Sequence, residues 1–211
     1  ALGPFETRPH LAAAVSGGSD SMALLRLLAS WCAARGGRLS VLSVDHGLRP
    51  EAKDEAHQVG SWATALGAEA HILTWHGDKP QAGLQAAARQ ARYQLLTDWC
   101  RDHDVLHLAL GHQADDRRET VAMRQTRRTD DQAPVLGLAG ISAVVPVQGV
   151  RLLRPLLGIT RADITAYLQS LGQDWIEDPS NRSVRFERIR WRQGELGALP
   201  EMEPIGQSGR E

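Results

Sequence analysis

The sequence predicts an α/β fold, a parallel sheet with helices on both faces. Three observations carry that prediction. Strand-length apolar runs alternate with segments of helical periodicity through residue 127, the order that builds parallel sheets. The loops after three of those runs are unusually polar for their length, and in such sheets ligands bind beyond the C-terminal ends of the strands. The chain has 211 residues, 42% apolar and 23% charged, which suits one α/β domain with at most a short appendage.

The first apolar run, residues 11–15, stops at a glycine-rich turn. Residues 19–34 carry Met22, Ala23, Leu24, Leu27, Leu28 and Trp31 at helical spacing, and Gly36 and Gly37 end that helix. Residues 39–44 form a second strand-like run that stops at Asp45. Residues 51–66 read as a helix with Val59, Trp62, Ala63 and Leu66 on one face. Residues 69–73 read as a third strand and 84–100 as an alanine-rich helix. Residues 105–110 form a fourth strand ending at Gly111, and 114–127 a fourth helix. The pattern then changes. Residues 129–132 are polar, and 137–150 are β-like or irregular. Thr160 is a candidate N-cap for a helix running to Leu171, with Gly172 as its C-cap. Residues 175–192 are dense in Asp, Asn and Arg. The expected division is one domain over 1–192 and a poorly ordered Gly/Pro/Glu-rich tail over 193–211.

Composition excludes a disordered chain, a collagen and a membrane bundle, since no run approaches about 18 apolar residues. The N-terminal stretch has no basic region followed by an apolar one, so no secretory signal is expected and a cytoplasmic location fits. Cys32 and Cys100 are too few for a disulfide framework or a four-thiolate zinc site, and read as buried free thiols. The net charge of −1 excludes a uniformly basic nucleic-acid coat. Of 24 basic residues only Lys53 and Lys79 are lysines. Arginine suits bidentate phosphate recognition, but biased codon usage gives the same total, so clustering is the stronger signal. Arg124, Arg127 and Arg128 form one cluster, and Arg182, Arg185, Arg188, Arg190 and Arg192 another. Each fits either RNA phosphates or a solvated face. Trp175 and Trp191 fit base stacking or simple packing.

The turn after the first strand reads Ser16-Gly17-Gly18-Ser19-Asp20-Ser21. Its glycines let the backbone approach a ligand, the following helix start offers free amides to an anion, and its serines add hydroxyl donors. A phosphate cradle fits, as does a plain helix cap by Ser19 or Asp20. The loop is neither a Walker A loop nor a nucleophile elbow. His46 and Arg49 sit at the second strand end; Arg49 suits a phosphate or an ion pair with Glu51. Arg89 and Arg92 share a helix face, suiting phosphate or RNA backbone or a solvated flank. Asp115 and Asp116 open a helix, where carboxylates are favoured electrostatically. Beside a phosphate cradle a carboxylate also holds Mg²⁺. His112 and Asp115 have no further ligand cluster to suggest zinc.

The SGGSDS turn resembles the PP-loop signature of N-type ATP pyrophosphatases. Six further blocks are similar to the tRNA(Ile)-lysidine synthetase family within that superfamily. They are Val44-Asp45-His46-Gly47-Leu48-Arg49, Ala88-Arg89-Gln90-Ala91-Arg92-Tyr93 and the stretch from Gly111-His112 through Asp115-Asp116 to Glu119-Thr120. Gly137-Leu138-Ala139-Gly140-Ile141, Arg154-Pro155-Leu156-Leu157 and Glu177-Asp178-Pro179-Ser180-Asn181 with Phe186 and Arg188 complete the set. The seven blocks occur in family order over about residues 11–192.

The resemblance implies a Rossmann-like sheet of the adenine nucleotide alpha hydrolase type. It also implies a carbon–nitrogen bond-forming ligase that joins lysine to C2 of the wobble cytidine of isoleucine tRNA through an adenylated cytidine, releasing AMP and pyrophosphate. ATP and Mg²⁺ would be the cofactors, and the tRNA anticodon loop and free L-lysine the partners. No membrane partner is implied, and a homodimer is a candidate assembly. Ser16, Gly17, Gly18, Ser19, Asp20, Ser21, Asp45, Gly111 and His112 would bind ATP. Asp20, Asp115, Arg89 and Arg92 would be catalytic, with Asp20 and Asp115 the candidates for Mg²⁺. His46, Arg49, Arg124, Arg128, Arg154, Asn181 and Arg188 would meet tRNA. The chain departs from the family blocks at Asp45 (Asn in the family), Gln113 (His), Arg117 (Gln) and Ile189 (Asn). Full-length members continue into helical and tRNA-recognition domains, so the expectation is an N-terminal fragment or a reduced protein. A PP-loop tRNA thiolase, a small-molecule amidotransferase or NAD-synthetase-like ligase, and a non-catalytic nucleotide- or RNA-binding module are the alternatives.

Overall fold

A computed structural model describes residues 2–116 and 142–177. Strands and helices alternate as predicted: β1 (His10–Ala14), α1 (Ser19–Ala33), β2 (Arg38–Asp45), α2 (Glu51–Ala65), β3 (Glu69–Thr74), α3 (Leu84–Asp102) and β4 (His107–Leu110). Residues 114–116 are helical, and β5 (Val144–Val147), β6 (Val150–Leu153) and α4 (Arg161–Ser170) follow. The six strands form one sheet in the order β3-β2-β1-β4-β6-β5. All neighbours pair in parallel except β5, which runs antiparallel to β6.

Successive strand residues point to opposite faces, and the two cores follow that rule. Leu11, Ala13, Val15, Leu39, Val41 and Ala109 face α1, α2 and α4, where Met22, Leu24, Val59, Ala63, Ile164 and Leu168 complete one core. Ala12, Leu42, Leu108 and Leu110 face α3, where Leu96, Trp99 and Cys100 complete the other. Helices therefore cover both faces, as predicted. Leu27, predicted on the apolar side of α1, is 43% exposed, and Leu25 is buried. Both cysteines are buried and free, and burial pushes Cys32 up to about 11 and Cys100 up to about 12.

Helix ends follow local chemistry. At the end of α1, Gly36 takes φ +59° and Gly37 N donates to Cys32 O at 2.9 Å. Helix α4 starts at Thr160, whose hydroxyl accepts from Asp163 N while Asp163 accepts from Thr160 N, a capping box. Two strand readings change. Strand β4 begins at His107 rather than Val105, after a turn with Asp104 at φ +53°. The stretch expected to be β-like or irregular contains a hairpin in its described part. Gln148 and Gly149, at φ +49° and +82°, make the tight turn between β5 and β6. Pro146 fits because β5 is an edge strand. Strand β6 went unrecognised in the sequence.

The sheet order sets the position of the site. From β1 the chain steps outward to β2 and β3, then returns to place β4 on the other side of β1. The switch point thus lies between β1 and β4, where open α/β sheets bind ligands. Val15 extends β1 by donating to Leu42 O at 3.0 Å, and Ser43 Oγ donates to Val15 O at 2.9 Å. Most of the fourth predicted helix, the Arg124, Arg127 and Arg128 cluster, the second arginine cluster, Asn181, Trp191 and the 193–211 tail lie outside the described residues.

Candidate active site

The loop after β1 is held by its own serines. Ser21 Oγ donates to Gly18 O at 2.9 Å and accepts from Ser16 N at 3.2 Å. Gly18, not Ser19 or Asp20, is the N-cap of α1, and no side chain caps the helix. The first-turn amides are left for an external acceptor. Gly17 sits at φ +90°, and a Cβ there would lie 2.5 Å from Ile176 Cδ1. Ile176 N in turn donates to Gly17 O at 2.9 Å. A Cβ on Gly18 would meet nothing within 4 Å, so this position faces open space. Gly111, at the end of β4, would press a Cβ to 3.2 Å of the Asp20 backbone and Ser21 Cα. The two loops therefore touch across the switch point, and any side chain at Gly111 would have to push them apart.

Above them lies a cleft of about 1000 Å³. That is the upper end of small-molecule sites, which run roughly 300–1,000 Å³. The three polar turns converge on it as predicted. Ser16, Gly18, Ser19, Asp20 and Ser21 form the floor. His46 and Arg49 come from the β2 end, Arg89 and Arg92 from α3, and Gly111 and His112 from the β4 end. Gly17, Asp45, Asp115 and Arg154 stand behind the wall. Asp45 Oδ1 accepts from Gly47 N at 2.8 Å, shaping the β2 turn. Arg154 Nε donates to His112 Nδ1 at 3.2 Å, and its Nη1 to Ser142 O at 2.7 Å. Asp115 accepts from Arg161 N at 3.3 Å, while its neighbour Asp116, 5% exposed, faces the cleft. Arg49 pairs with Glu55 at 2.8 Å rather than with Glu51, because the turn carries it one helical turn further along α2.

Burial and neighbouring arginines hold the imidazoles of the cleft neutral. Burial, opposed by Asp116 and reinforced by Arg154, Arg89 and Arg92, pushes His112 down to about 4. Accepting at Nδ1 from an arginine, the neutral ring carries its proton on Nε2 and is a donor there. Burial, then Arg92, also lowers His46, whose buried Nδ1 makes no hydrogen bond among the described residues. Arg89 and Arg92 both lie over the Tyr93 ring, at 5.1 and 5.4 Å, and Arg89 Nη2 donates to Tyr93 Oη at 3.3 Å. The ring thus shelters both guanidinium stems at the cleft mouth.

The sequence model described as a PP-loop domain matches residues 2–197. The chain belongs to the PP-loop domain family. It is 45% identical over 202 residues to the tRNA(Ile)-lysidine synthase of Ruegeria pomeroyi, covering 93% of this chain and 46% of that protein. The Orientia tsutsugamushi enzyme of that name is 42% identical over 90% of this chain and 42% of its own length. That of Bradyrhizobium diazoefficiens is 42% identical, with 98% and 55% covered. The chain spans about half the length of the curated relatives it matches. Among solved structures, the U34-tRNA thiolase NcsA of Methanococcus maripaludis superposes with a TM-score of 0.75 at 19% identity. It covers 92% of this chain and 68% of that one, a likeness of fold.

The PP-loop cleft has further walls, of which the sequence singled out only Trp175 and Glu177. Arg161 and Thr165 of α4 line it, as do Gln85, Trp175, Ile176 and Glu177. Trp175 is half-buried against the α1 side and also reaches the cleft, so its packing and ligand-facing readings coexist. Arg161 Nη2 meets Asp20 Oδ2 at 3.1 Å. The donor set suits Mg²⁺, which takes one or two carboxylates plus substrate phosphates rather than a protein cage. Asp20, Glu55, Asp116 and Glu177 are the acids that line the cleft among the described residues. No helix among the described residues is long and apolar enough to cross a membrane.

Proposed function

We propose that this PP-loop domain carries the ATP-dependent step of lysidine formation on isoleucine tRNA. One observation carries the reading: three polar turns and two arginine-bearing walls meet at the sheet's switch point around an open glycine-serine cradle. The identity to lysidine synthases over at least 90% of the chain supports the substrate class. The cradle amides and serine hydroxyls receive the phosphates of ATP. The wobble cytidine enters the cleft, and its C2 carbonyl oxygen attacks the α-phosphorus, expelling pyrophosphate. The oxygen is then part of a good leaving group. The ε-amine of lysine attacks C2, AMP departs, and the amine proton passes to a carboxylate.

Arg89 and Arg92 neutralise charge that develops on the phosphates. Neutral His112 donates from Nε2, and Arg154 is a positioning residue that fixes this tautomer. Asp20 is the carboxylate for Mg²⁺, which supplies charge neutralisation on the phosphates when bound. Asp116 faces the cleft and suits proton acceptance from the amine. Asp115 acts on the α4 start rather than on substrate. Arg49, with Arg124, Arg128, Asn181 and Arg188, is assigned to tRNA. The thiols are poor candidates for thiolase chemistry, since both are buried and held protonated. A cytoplasmic enzyme, as a monomer or homodimer, fits this reading.

The test is pyrophosphate release from ATP with Mg²⁺ and unmodified isoleucine tRNA, using the whole protein, with and without lysine. The expected result is tRNA-dependent release, lysine incorporated into the RNA, and loss of both in Asp20→Ala. ATP cleavage indifferent to tRNA, or binding without any release, would overturn the proposal.

A further inference from the structure

Arg161 lies outside the motif blocks, yet it pairs with the acid of the PP-loop. Its guanidinium lies 3.1 Å from Asp20 Oδ2, across from the cradle serines. Its backbone is fixed three ways. Asp115 accepts from Arg161 N. The Thr160–Asp163 capping box sets the helix start. Ile164 and Leu168, 2% and 0% exposed, lock α4 onto the α1 side of the sheet. The side chain remains 39% exposed and borders the open cleft. A rigid anchor with an exposed head suits an anion-binding arginine.

The ion pair also poses an electrostatic problem for the ligand. A triphosphate entering the cradle meets the Asp20 carboxylate, a like charge at short range. A divalent cation taken up by Asp20 removes that repulsion and at once deprives Arg161 of its counter-charge. The phosphate chain is then available as a new partner for Arg161. We propose that Arg161 is a phosphate ligand of the ATP site, and that the Asp20–Arg161 ion pair is the empty-site arrangement that metal and triphosphate together replace. This rests on the nucleotide reading above. It adds a residue to that site and couples metal binding to phosphate binding.

The experiment is calorimetric titration of the whole protein with a non-hydrolysable ATP analogue and, separately, with adenosine. Each is run with Mg²⁺ and with chelator. Arg161→Gln should weaken the analogue about tenfold or more with Mg²⁺, as loss of a hydrogen bond to a charged group does. Its adenosine affinity should not change. Arg161→Lys should recover part of the loss. In chelator, Asp20→Asn frees Arg161 and should tighten the analogue, and that gain should vanish in the Asp20→Asn/Arg161→Gln double variant. Equal analogue binding by wild type and Arg161→Gln would overturn the proposal alone. So would a parallel loss of analogue and adenosine, the mark of a structural role, or a gain that persists in the double variant. Failure of the wild type to bind the analogue would overturn the nucleotide reading as well.

Discussion

His112 should make the fold acid-sensitive, and His112→Gln should remove much of that sensitivity. Its imidazole is pushed from the ordinary 6.5 down to about 4, chiefly by burial, with Arg154, Arg89 and Arg92 adding to the push and Asp116 opposing it. The folded state therefore binds this proton later than the unfolded state does. Stability from this group is fully present above pH 6.5 and is lost as the pH falls toward about 4. Each pH unit within that window costs about 1.4 kcal/mol, so between about pH 7 and about pH 5 the loss is about 2 kcal/mol. Glutamine keeps an acceptor for Arg154 and cannot titrate. Urea denaturation of both proteins across this range isolates the residue, because His46, His10 and Glu6 are common to both and cancel in the difference. The wild type should lose about 2 kcal/mol more than the variant on acidification. Parallel stability curves would refute the assignment of a neutral, buried His112.

Gly17→Ala should cost about 1–3 kcal/mol in denaturant melts and weaken nucleotide binding, since alanine meets both a φ of +90° and the Ile176 side chain. Leu168→Ala, at 0% exposure between α4 and the sheet, should cost about 2–5 kcal/mol by the same assay. Thr160→Ala, which dismantles the capping box, should cost about 1 kcal/mol and be rescued by serine. An aromatic disulfide reagent should label Cys32 and Cys100 only after unfolding, because burial keeps both protonated; rapid labelling of the native protein would contradict that burial.

The alternation of strands and helices was legible because each period reflects a local constraint. Residues 19–34 and 51–66 repeat at helical spacing because one face meets a sheet, and α1 and α2 appear within a residue of that reading. The hairpin of β5 and β6 was not legible for two reasons. Its strands have only four residues each, too short for a period to emerge, and its turn is Gln148-Gly149 rather than an asparagine–glycine pair. What β6 gains by joining the sheet is a partner, β4, found more than forty positions earlier in the chain. Pairings of that kind are tertiary, and no window of sequence contains them.

The site divides along the same line. The shape of the PP-loop turn was readable because glycine, serine and a helix start are all contiguous. Asp115 was singled out over Asp116 because both open a helix and spacing cannot say which of two neighbours turns inward. The structure separates them by a rotation of about 100° per residue along the helix, which sends Asp115 to the Arg161 amide and Asp116 to the cleft. Arg161 was invisible for a different reason. An arginine at the first position of a helix is electrostatically unfavourable there, and from sequence alone it reads as an ordinary surface charge. Its meaning comes from Asp20, 141 residues away in the chain. The pair offsets the unfavourable helix position, and it does so with the one carboxylate of the PP-loop that a metal ion would claim. A residue whose partner the ligand removes needs another partner for its charge. The unfavourable position of Arg161 is thus itself an argument that an anion, rather than Asp20, completes its environment in the working state.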